Sequence, residues 1–406
     1  MRIIIAGQTY HPAANGQSVF TVQLAEGLAA SGHPVMVIAP SDKRQADSTL
    51  LNGVQLEKVR SVSFFHMQDT YLNMPAGQTV DRLMDGFRPD IVHIQDHYPL
   101  SHTVVSAARK RHLPLVGTNH FLPENVLHYL GLPAWVTTRL ERAAWSWVLE
   151  LYNRLQIVTT PTETAAAILR QQPIRVPVYA VSCGVDLARF APDATVDRAA
   201  MRLRYRLDPG RTVFMFVGRL DQEKRIDVLM RAIRQLKRDD LQLAVAGHGR
   251  YMDVLLAMAQ QMDLGQRVVF TGYVPPEDLP GLLNSVDVFV MPSEAELQSI
   301  ATLEAMACGK PVLAANARAL PELVKDGVNG YLFAPGNAGD AARRMAQLAD
   351  ERERWPAMSA AGLARVSQHS VGDTVRRYQE LYCMLLPATP AAGRVAPPPT
   401  VTGHLP

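Results

Sequence analysis

Short unbroken apolar runs alternate along the chain with longer stretches whose apolar positions recur every three or four residues. Arg2–Ala6 (RIIIA) leads into Gln17–Ser31, helical by its spacing, and then into Pro34–Ala39 (PVMVIA). Asp90–Ile94, Leu113–Gly117 and Gln156–Thr160 repeat the short run, with helical stretches between them. Runs that are apolar at successive rather than alternate positions fit strands covered on both faces, hence parallel strands joined by helices. The grammar restarts at Thr212–Val217 and continues through Leu241–Ala246, Arg267–Gly272, Val286–Met291 and Pro311–Ala315. Two such series predict an α/β protein of two doubly wound, Rossmann-like domains facing across a cleft. Ligands of open α/β sheets sit at the carboxyl ends of the strands, here the cleft between the sheets.

Between about Val185 and Arg211 the pattern breaks on Gly, Pro and Asp, and a short helix over Arg198–Arg204 leads into the second series. Residues 1–188 and 189–370 are therefore expected as the two domains. Residues 387–406, rich in Pro and small side chains, are expected as a disordered tail.

The 406 residues are 48% hydrophobic and 19% charged, enough to bury a core in each domain and to exclude wholesale disorder. No apolar run reaches the ~18 residues that span a bilayer, and the start MRIIIAG does not read as a secretory signal. Cys183, Cys308 and Cys383 lie far apart without metal-ligand spacing, which favours a reducing cytosol over a disulfide framework. A net charge of +3 is too small to argue for nucleic acid. It is compatible with phosphorylated substrates or an anionic membrane surface.

Within Phe216–Lys224 a strand ends at Gly218, and Arg219 and Lys224 follow beside a helix expected to start near Glu223. Backbone N–H groups at a helix N-terminus attract anions, and Arg offers a fork where Lys offers a point charge. On spacing alone the two cations read equally well as a diphosphate clamp or as solvated surface charge. Glu296 lies in the loop after the strand Val286–Met291, and Glu304 projects from a helix expected to begin near Gln298. Such carboxylates can hold sugar or ribose hydroxyls, or merely complement a helix dipole. The first turn, Ala6–Gly16, lacks G-x-G-x-x-G and ends in Asn15-Gly16 before a helix, so it reads as a phosphate-approaching loop or an ordinary capped turn. His120 follows a strand and faces the expected cleft, with Asp96 and Glu124 at comparable strand exits.

In order, these segments resemble the retaining glycosyltransferases of family 4, which have the GT-B fold. The resemblance covers about residues 1–386. It includes LAEGLAASGHPVMVIAP, SCGVDLARFAP, VGRLDQEKRIDVLMRAI, AGHGR, VVFTGYVPPEDL, PSEAELQSIATLEAMACGKPV with the E-x7-E pair Glu296/Glu304, and LPELVKDGVNGYLF. It implies transfer of a hexose from a nucleotide-diphosphate sugar, UDP- or GDP-linked, to a hydroxyl acceptor, lipid or glycan. It also implies a helix over 371–386 that returns to the first domain. Arg219, Lys224 and a helix N-terminus can offset leaving-group charge without a metal, and no D-x-D element in a suitable loop suggests one, so no metal is expected. By the same resemblance Arg219 and Lys224, with Gly218 and the Gly16 backbone, bind the donor diphosphate. Glu304 holds the ribose, and the base lies near Gly272, Tyr273 and Val274. Glu296 and the backbone at Leu297, Gln298, Ser299 and Ile300 contact the donor sugar, which His120 touches from the other domain. Asn15-Gly16 replaces a common Gly-Gly and is expected to restrict the loop. Leu297-Gln298-Ser299 replaces x-Phe-Gly, and Arg225 stands where glycine often follows the lysine.

No carboxylate presents itself as a nucleophile on the opposite sugar face, so front-face attack assisted by the leaving phosphate is preferred over double displacement. Trp135–Leu155 is amphipathic with Arg139, Arg142 and Arg154, and fits either a peripheral contact with the inner membrane face or a core helix. Competing readings are a nucleotide-sugar epimerase, a phosphorylase lacking a recognisable pyridoxal phosphate lysine, a non-catalytic nucleotide-sugar binding protein, and a dehydrogenase lacking its glycine fingerprint.

Overall fold

The computed structural model describes residues 1–10, 15–41, 45–63, 71–122 and 134–386. The first part of the chain forms β1 (Ile3–Ala6), β2 (Val35–Pro40), β3 (Asp47–Leu51) and β4 (Val54–Val59), then a separate two-stranded ribbon of β5 (Ser61–Ser63) and β6 (Tyr71–Asn73). It continues with β7 (Ile91–Ile94), β8 (Leu115–Thr118), β9 (Ile157–Thr160) and β10 (Val178–Ala180). Apart from the ribbon these make one sheet ordered β10-β9-β8-β7-β1-β2-β4-β3, parallel except for the antiparallel edge strand β3. The central strands are buried at every position, as their unbroken apolar runs require.

The second part supplies β11 (Thr212–Val217), β12 (Leu241–Ala246), β13 (Val268–Gly272), β14 (Val288–Met291), β15 (Val312–Ala315) and β16 (Gly330–Phe333). All pair in parallel, in the order β13-β12-β11-β14-β15-β16. This is the dinucleotide-fold order, with its reversal between β11 and β14. In the first sheet the reversal falls between β1 and β7. Each reversal opens a crevice at strand carboxyl ends, and the loops bearing Lys224 and Glu296 leave the second sheet there.

The chain crosses between the sheets twice. Residues Val181–Phe190 lead out, and the helix Val371–Leu385 returns and buries Tyr378 and Tyr382 against β1 and β2 in the first core. Tyr382 Oη lies 2.7 Å from His93 Nδ1, and Tyr378 Oη reaches the hydroxyls of Thr118 and Thr159. The two crossings are stitched by Val185 N–H to the His369 carbonyl (2.8 Å) and Val371 N–H to the Val185 carbonyl (3.1 Å). Gly184 makes this approach possible: its φ is +81°, and a Cβ there would stand 2.8 Å from Thr374 Oγ1 and 3.0 Å from Val371 Cα.

The helix Ala134–Tyr152 divides the two readings of its amphipathic pattern. Trp145, Val148, Leu149, Leu151 and Tyr152 are core, whereas Trp135 is 65% and Leu140 37% exposed. The expectations for the tail 387–406, for Glu124 and for loop positions 11–14 lie outside the described residues.

Candidate active site

Topology brings the site together. Because β11 and β14 are hydrogen-bonded neighbours at the reversal, the loops that follow them leave the sheet side by side. Lys224 comes from the first loop and Glu296 from the second, 72 residues apart, and their Nζ and Oε1 atoms meet at 2.5 Å. Both side chains are largely buried, at 20% and 10% exposure. Arg219, on the same loop as Lys224, is half exposed; its Nε pairs with Asp221 at 2.7 Å and its guanidinium lies 3.6 Å from Glu223. Both carboxylates are largely buried, at 9% and 10% exposure, while the guanidinium itself stays open to solvent.

The expected helix start near Glu223 is shifted. Gln222–Lys224 form one 3-10 turn, and the α-helix begins at Ile226 because Arg225 intervenes at φ +51°, ψ +38°. This left-handed conformation explains why glycine suits the position. Arg225 is held in it by ion pairs to Glu294 (2.5 Å) and Asp227 (3.4 Å). The loop Gly247–Gly249 after β12 packs backbone to backbone against the clamp loop. A Cβ on Gly247, at φ +128°, would lie 1.9 Å from the Gly218 carbonyl oxygen.

The segment Glu296–Ile300 belongs to the second domain by connectivity but packs on both. Leu297 is 8% exposed and joins the first-domain core, while its carbonyl accepts from Thr162 Oγ1 at 2.8 Å. Ile300 packs against the other face of the first sheet, and a methyl built on Gly16 would stand 3.8 Å from its Cδ1. Gln298 turns its amide toward the crossing: Oε1 accepts from Cys183 N–H at 2.7 Å, and Nε2 lies 3.1 Å from Ser182 Oγ. These three side chains are engaged elsewhere, so this stretch offers a ligand its backbone. Ser299 caps the following helix, which starts at Ile300 rather than Gln298, by accepting from Thr302 N–H.

Glu304 sits in the second turn of that helix. Burial raises its carboxyl to about 7, with Arg189 of the crossing pulling weakly the other way. Arg189 in turn donates to the Pro276 carbonyl, beside Gly272–Val274. Tyr273 is 62% exposed, its N–H donates to His248 Nε2 at 2.9 Å, and the two rings lie nearly parallel, 6.4 Å apart. Val274 packs on the second core.

From the first domain come Gly16, His120 and the loop after β7. Asn15 does not restrict the turn as expected. At φ −148° it is extended backbone open to any residue, and its side chain accepts from Ser18 N–H while Ser18 Oγ accepts from Asn15 N–H. His120 contacts Gln95 Oε1 at 3.3 Å and tilts against Phe20 at 5.0 Å; burial lowers its ring to about 4, so it is neutral at ordinary pH. Asp96 accepts from Gln8 N–H, Ser101 Oγ (2.7 Å), Tyr98 N–H (3.1 Å) and Gln17 Nε2 (3.2 Å), which commits it to shaping the loop. The acid partners Asp221, Glu223 and Glu294, and the ring of His248, belong to the same crevice and carried no distinct local signal in the sequence.

Comparison with known proteins agrees with the two-domain fold. The family model described as Glycosyltransferase Family 4 matches residues 14–189, and that described as Glycosyl transferases group 1 matches residues 197–364. The chain is 31% identical over 338 residues to a GDP-mannose-dependent alpha-mannosyltransferase of Mycolicibacterium smegmatis, covering 82% of this chain and 84% of that protein. It is 25% identical over 337 residues to an alpha-monoglucosyldiacylglycerol synthase of Streptococcus pneumoniae, covering 82% and 75%. Among solved structures, sucrose-phosphate synthase from Thermosynechococcus elongatus superposes with a TM-score of 0.77 at 21% identity, over 95% of this chain and 99% of that one. Anabaena HepE in complex with UDP gives 0.76 at 21%, over 95% and 100%. At this identity the two structures speak for the fold alone.

Proposed function

Since the chain belongs to glycosyltransferase family 4 and has the two-domain GT-B fold, we propose that it is a retaining hexosyltransferase that moves the sugar of a nucleoside-diphosphate hexose onto a hydroxyl. One observation carries the reading: Lys224 and Glu296 meet at the reversal point of the second sheet, with Arg219 on the same loop. As the glycosidic bond to phosphate breaks, negative charge collects on the departing diphosphate while the sugar becomes oxocarbenium-like. Arg219 and Lys224 neutralise that charge, and loss of one such fixed donor typically costs ~10²–10³ in rate. The Gly16 amide and Gly218 complete the phosphate contacts.

Glu296 and the backbone of 297–300 hold the sugar, and neutral His120 offers it a hydrogen bond across the cleft. Glu304 takes the ribose hydroxyls, with the base against Gly272–Val274. Asp96, the carboxylate at the first sheet's reversal, is spent on four hydrogen bonds. That favours front-face attack, in which a phosphate oxygen takes the proton of the incoming hydroxyl, over a covalent intermediate.

GDP-mannose is the first donor to test, because the mycobacterial relative is named for it; UDP-glucose is the second. For the acceptor we infer a lipid-borne hydroxyl at the inner face of a membrane. Relatives named for diacylglycerol and phosphatidylinositol glycosides support this, as do Trp135 and Leu140, exposed beside Arg139 and Arg142. Among the described residues no helix is long and apolar enough to cross a membrane. The experiment is turnover of GDP-mannose and UDP-glucose with lipid and soluble acceptors by the parent, Arg219→Ala and Lys224→Ala. The variants are expected to fall at least tenfold, and turnover within threefold of the parent in both would refute the clamp.

A further inference from the structure

Gln298 occupies a position where the family resemblance leads one to expect an aromatic ring, and nothing in the donor chemistry uses its amide. Its surroundings give it another task. Oε1 accepts from Cys183 N–H at 2.7 Å, and Nε2 lies 3.1 Å from Ser182 Oγ. Ser182 Oγ also meets His369 Nδ1 at 2.9 Å and accepts from Gly184 N–H at 3.2 Å, and the Ser182 carbonyl accepts from Thr374 Oγ1 at 2.9 Å. Residues 182–185 form the outgoing crossing between the domains, and 369–374 open the returning one. One side chain of the donor loop is thus bonded to the place where both crossings are joined.

The neighbours of Gln298 make the link stiff. Two residues before it, Glu296 is held by Lys224 of the second domain. One residue before it, Leu297 is embedded in the first domain and bonded to Thr162. Ser299, one residue after it, caps the helix that carries Glu304. A rotation of the domains about residues 182–185 and 369–371 therefore pulls on the amide and moves the backbone that faces a donor sugar.

Resting on the transferase reading above, we propose that Gln298 is a positioning residue that couples the donor loop to the joined crossings, so that lobe closure and seating of the donor are one equilibrium. Binding energy gained at the diphosphate then appears as closure, and a loosened link appears as weakened donor binding at an unaltered clamp.

The test uses the full chain with Gln298→Ala, Gln298→Glu, Ser182→Ala and the double variant Gln298→Ala/Ser182→Ala. Small-angle scattering with and without saturating GDP or UDP reads closure, and steady-state kinetics read donor KM and kcat separately. Gln298→Ala is expected to raise donor KM about tenfold and to reduce nucleotide-induced compaction. Gln298→Glu, which keeps the acceptor for Cys183 N–H but loses the Nε2 donor to Ser182 Oγ, should fall between the parent and Gln298→Ala. The double variant should match Gln298→Ala, because contacting partners are not additive. A folded Gln298→Ala with KM within twofold and full compaction would overturn the proposal, as would additive effects or a parent that neither nucleotide compacts. If Gln298→Ala does not fold, Ser182→Ala carries the same comparison. A parent that compacts on nucleotide yet transfers no hexose would refute the transferase reading and leave the coupling standing.

Discussion

Lys224 Nζ and Glu296 Oε1 stand 2.5 Å apart across two loops that the strand order alone makes neighbours. Each is the other's counter-charge in a crevice where both are mostly shielded from water. On the transferase reading proposed above, a diphosphate entering beside Lys224 would compete with the glutamate for that cation and release Glu296 toward the sugar.

This exchange separates binding from transfer. Glu296→Gln removes the competitor, so titration calorimetry should show GDP or UDP binding as tight as in the parent or tighter. The same variant should transfer about 10²-fold more slowly, because its sugar contact loses charge. Lys224→Ala should weaken both measurements. A Glu296→Gln variant that loses nucleotide affinity would place the glutamate in diphosphate binding instead.

Arg225 yields a prediction of ordering. A non-glycine residue in the left-handed region costs roughly 1–2 kcal/mol, offset here by the pairs to Glu294 and Asp227. Arg225→Ala keeps the strain and loses the pairs, so urea unfolding should show a loss of about 1 kcal/mol. Arg225→Gly loses the pairs and also the strain, and should stay within about 0.5 kcal/mol of the parent. Glycine falling below alanine would contradict this account.

Much of the architecture was legible because burial on both faces leaves an unbroken apolar run. Thr212–Val217 and Leu241–Ala246 were bounded correctly for that reason, and the short helix Arg198–Arg204 is marked by its Asp197 cap. The edge pair β3 and β4 did not stand out: Asp47–Leu51 is almost wholly exposed, and Val54–Val59 breaks its apolar run with Gln, Glu and Lys. Within the crevice, the identity of Lys224 and Glu296 was readable but not their pairing, which depends on strand order. Leu297 and Gln298 looked like donor contacts by position. The expectation concerned their backbone; that their side chains answer to the first domain and to the crossing was not readable from position. Arginine itself gives no hint of the positive φ at Arg225; the only trace of the left-handed turn was the glycine usual at that position in the resemblance.

The divided helix Ala134–Tyr152 predicts two different outcomes along its length. Trp145, 8% exposed in the core, should cost about 3 kcal/mol or more when cut to alanine. The pair Trp135→Ala/Leu140→Glu should leave the melting temperature unchanged and reduce co-sedimentation with anionic vesicles at low salt at least fivefold. Raising salt should weaken parent binding as the cations Arg139 and Arg142 are screened. A parent that never binds anionic vesicles would remove the membrane from the acceptor reading.

Glu304 sets a pH dependence whose sign follows from its environment. Its carboxyl is raised from an ordinary 4.5 to about 7 by burial. Between those values the folded chain keeps a proton that the unfolded chain has lost, so this group makes stability fall as pH rises from about 4.5 to about 7 and then level off. Glu304→Gln abolishes the effect. Parent and variant should therefore have equal stability near pH 4, and the variant should gain on the order of 3 kcal/mol by pH 8. Affinity runs the other way, since an ionised carboxylate accepts ribose hydroxyls more strongly than a neutral amide. Parent affinity for GDP or UDP should climb as pH passes about 7, while the variant binds about tenfold more weakly above that point with no such rise. Chemical denaturation and calorimetry across pH 4–8 check both halves. A stability difference that stays constant with pH would mean that the Glu304 carboxyl is not held neutral by the fold, and the ribose assignment would lose its electrostatic basis.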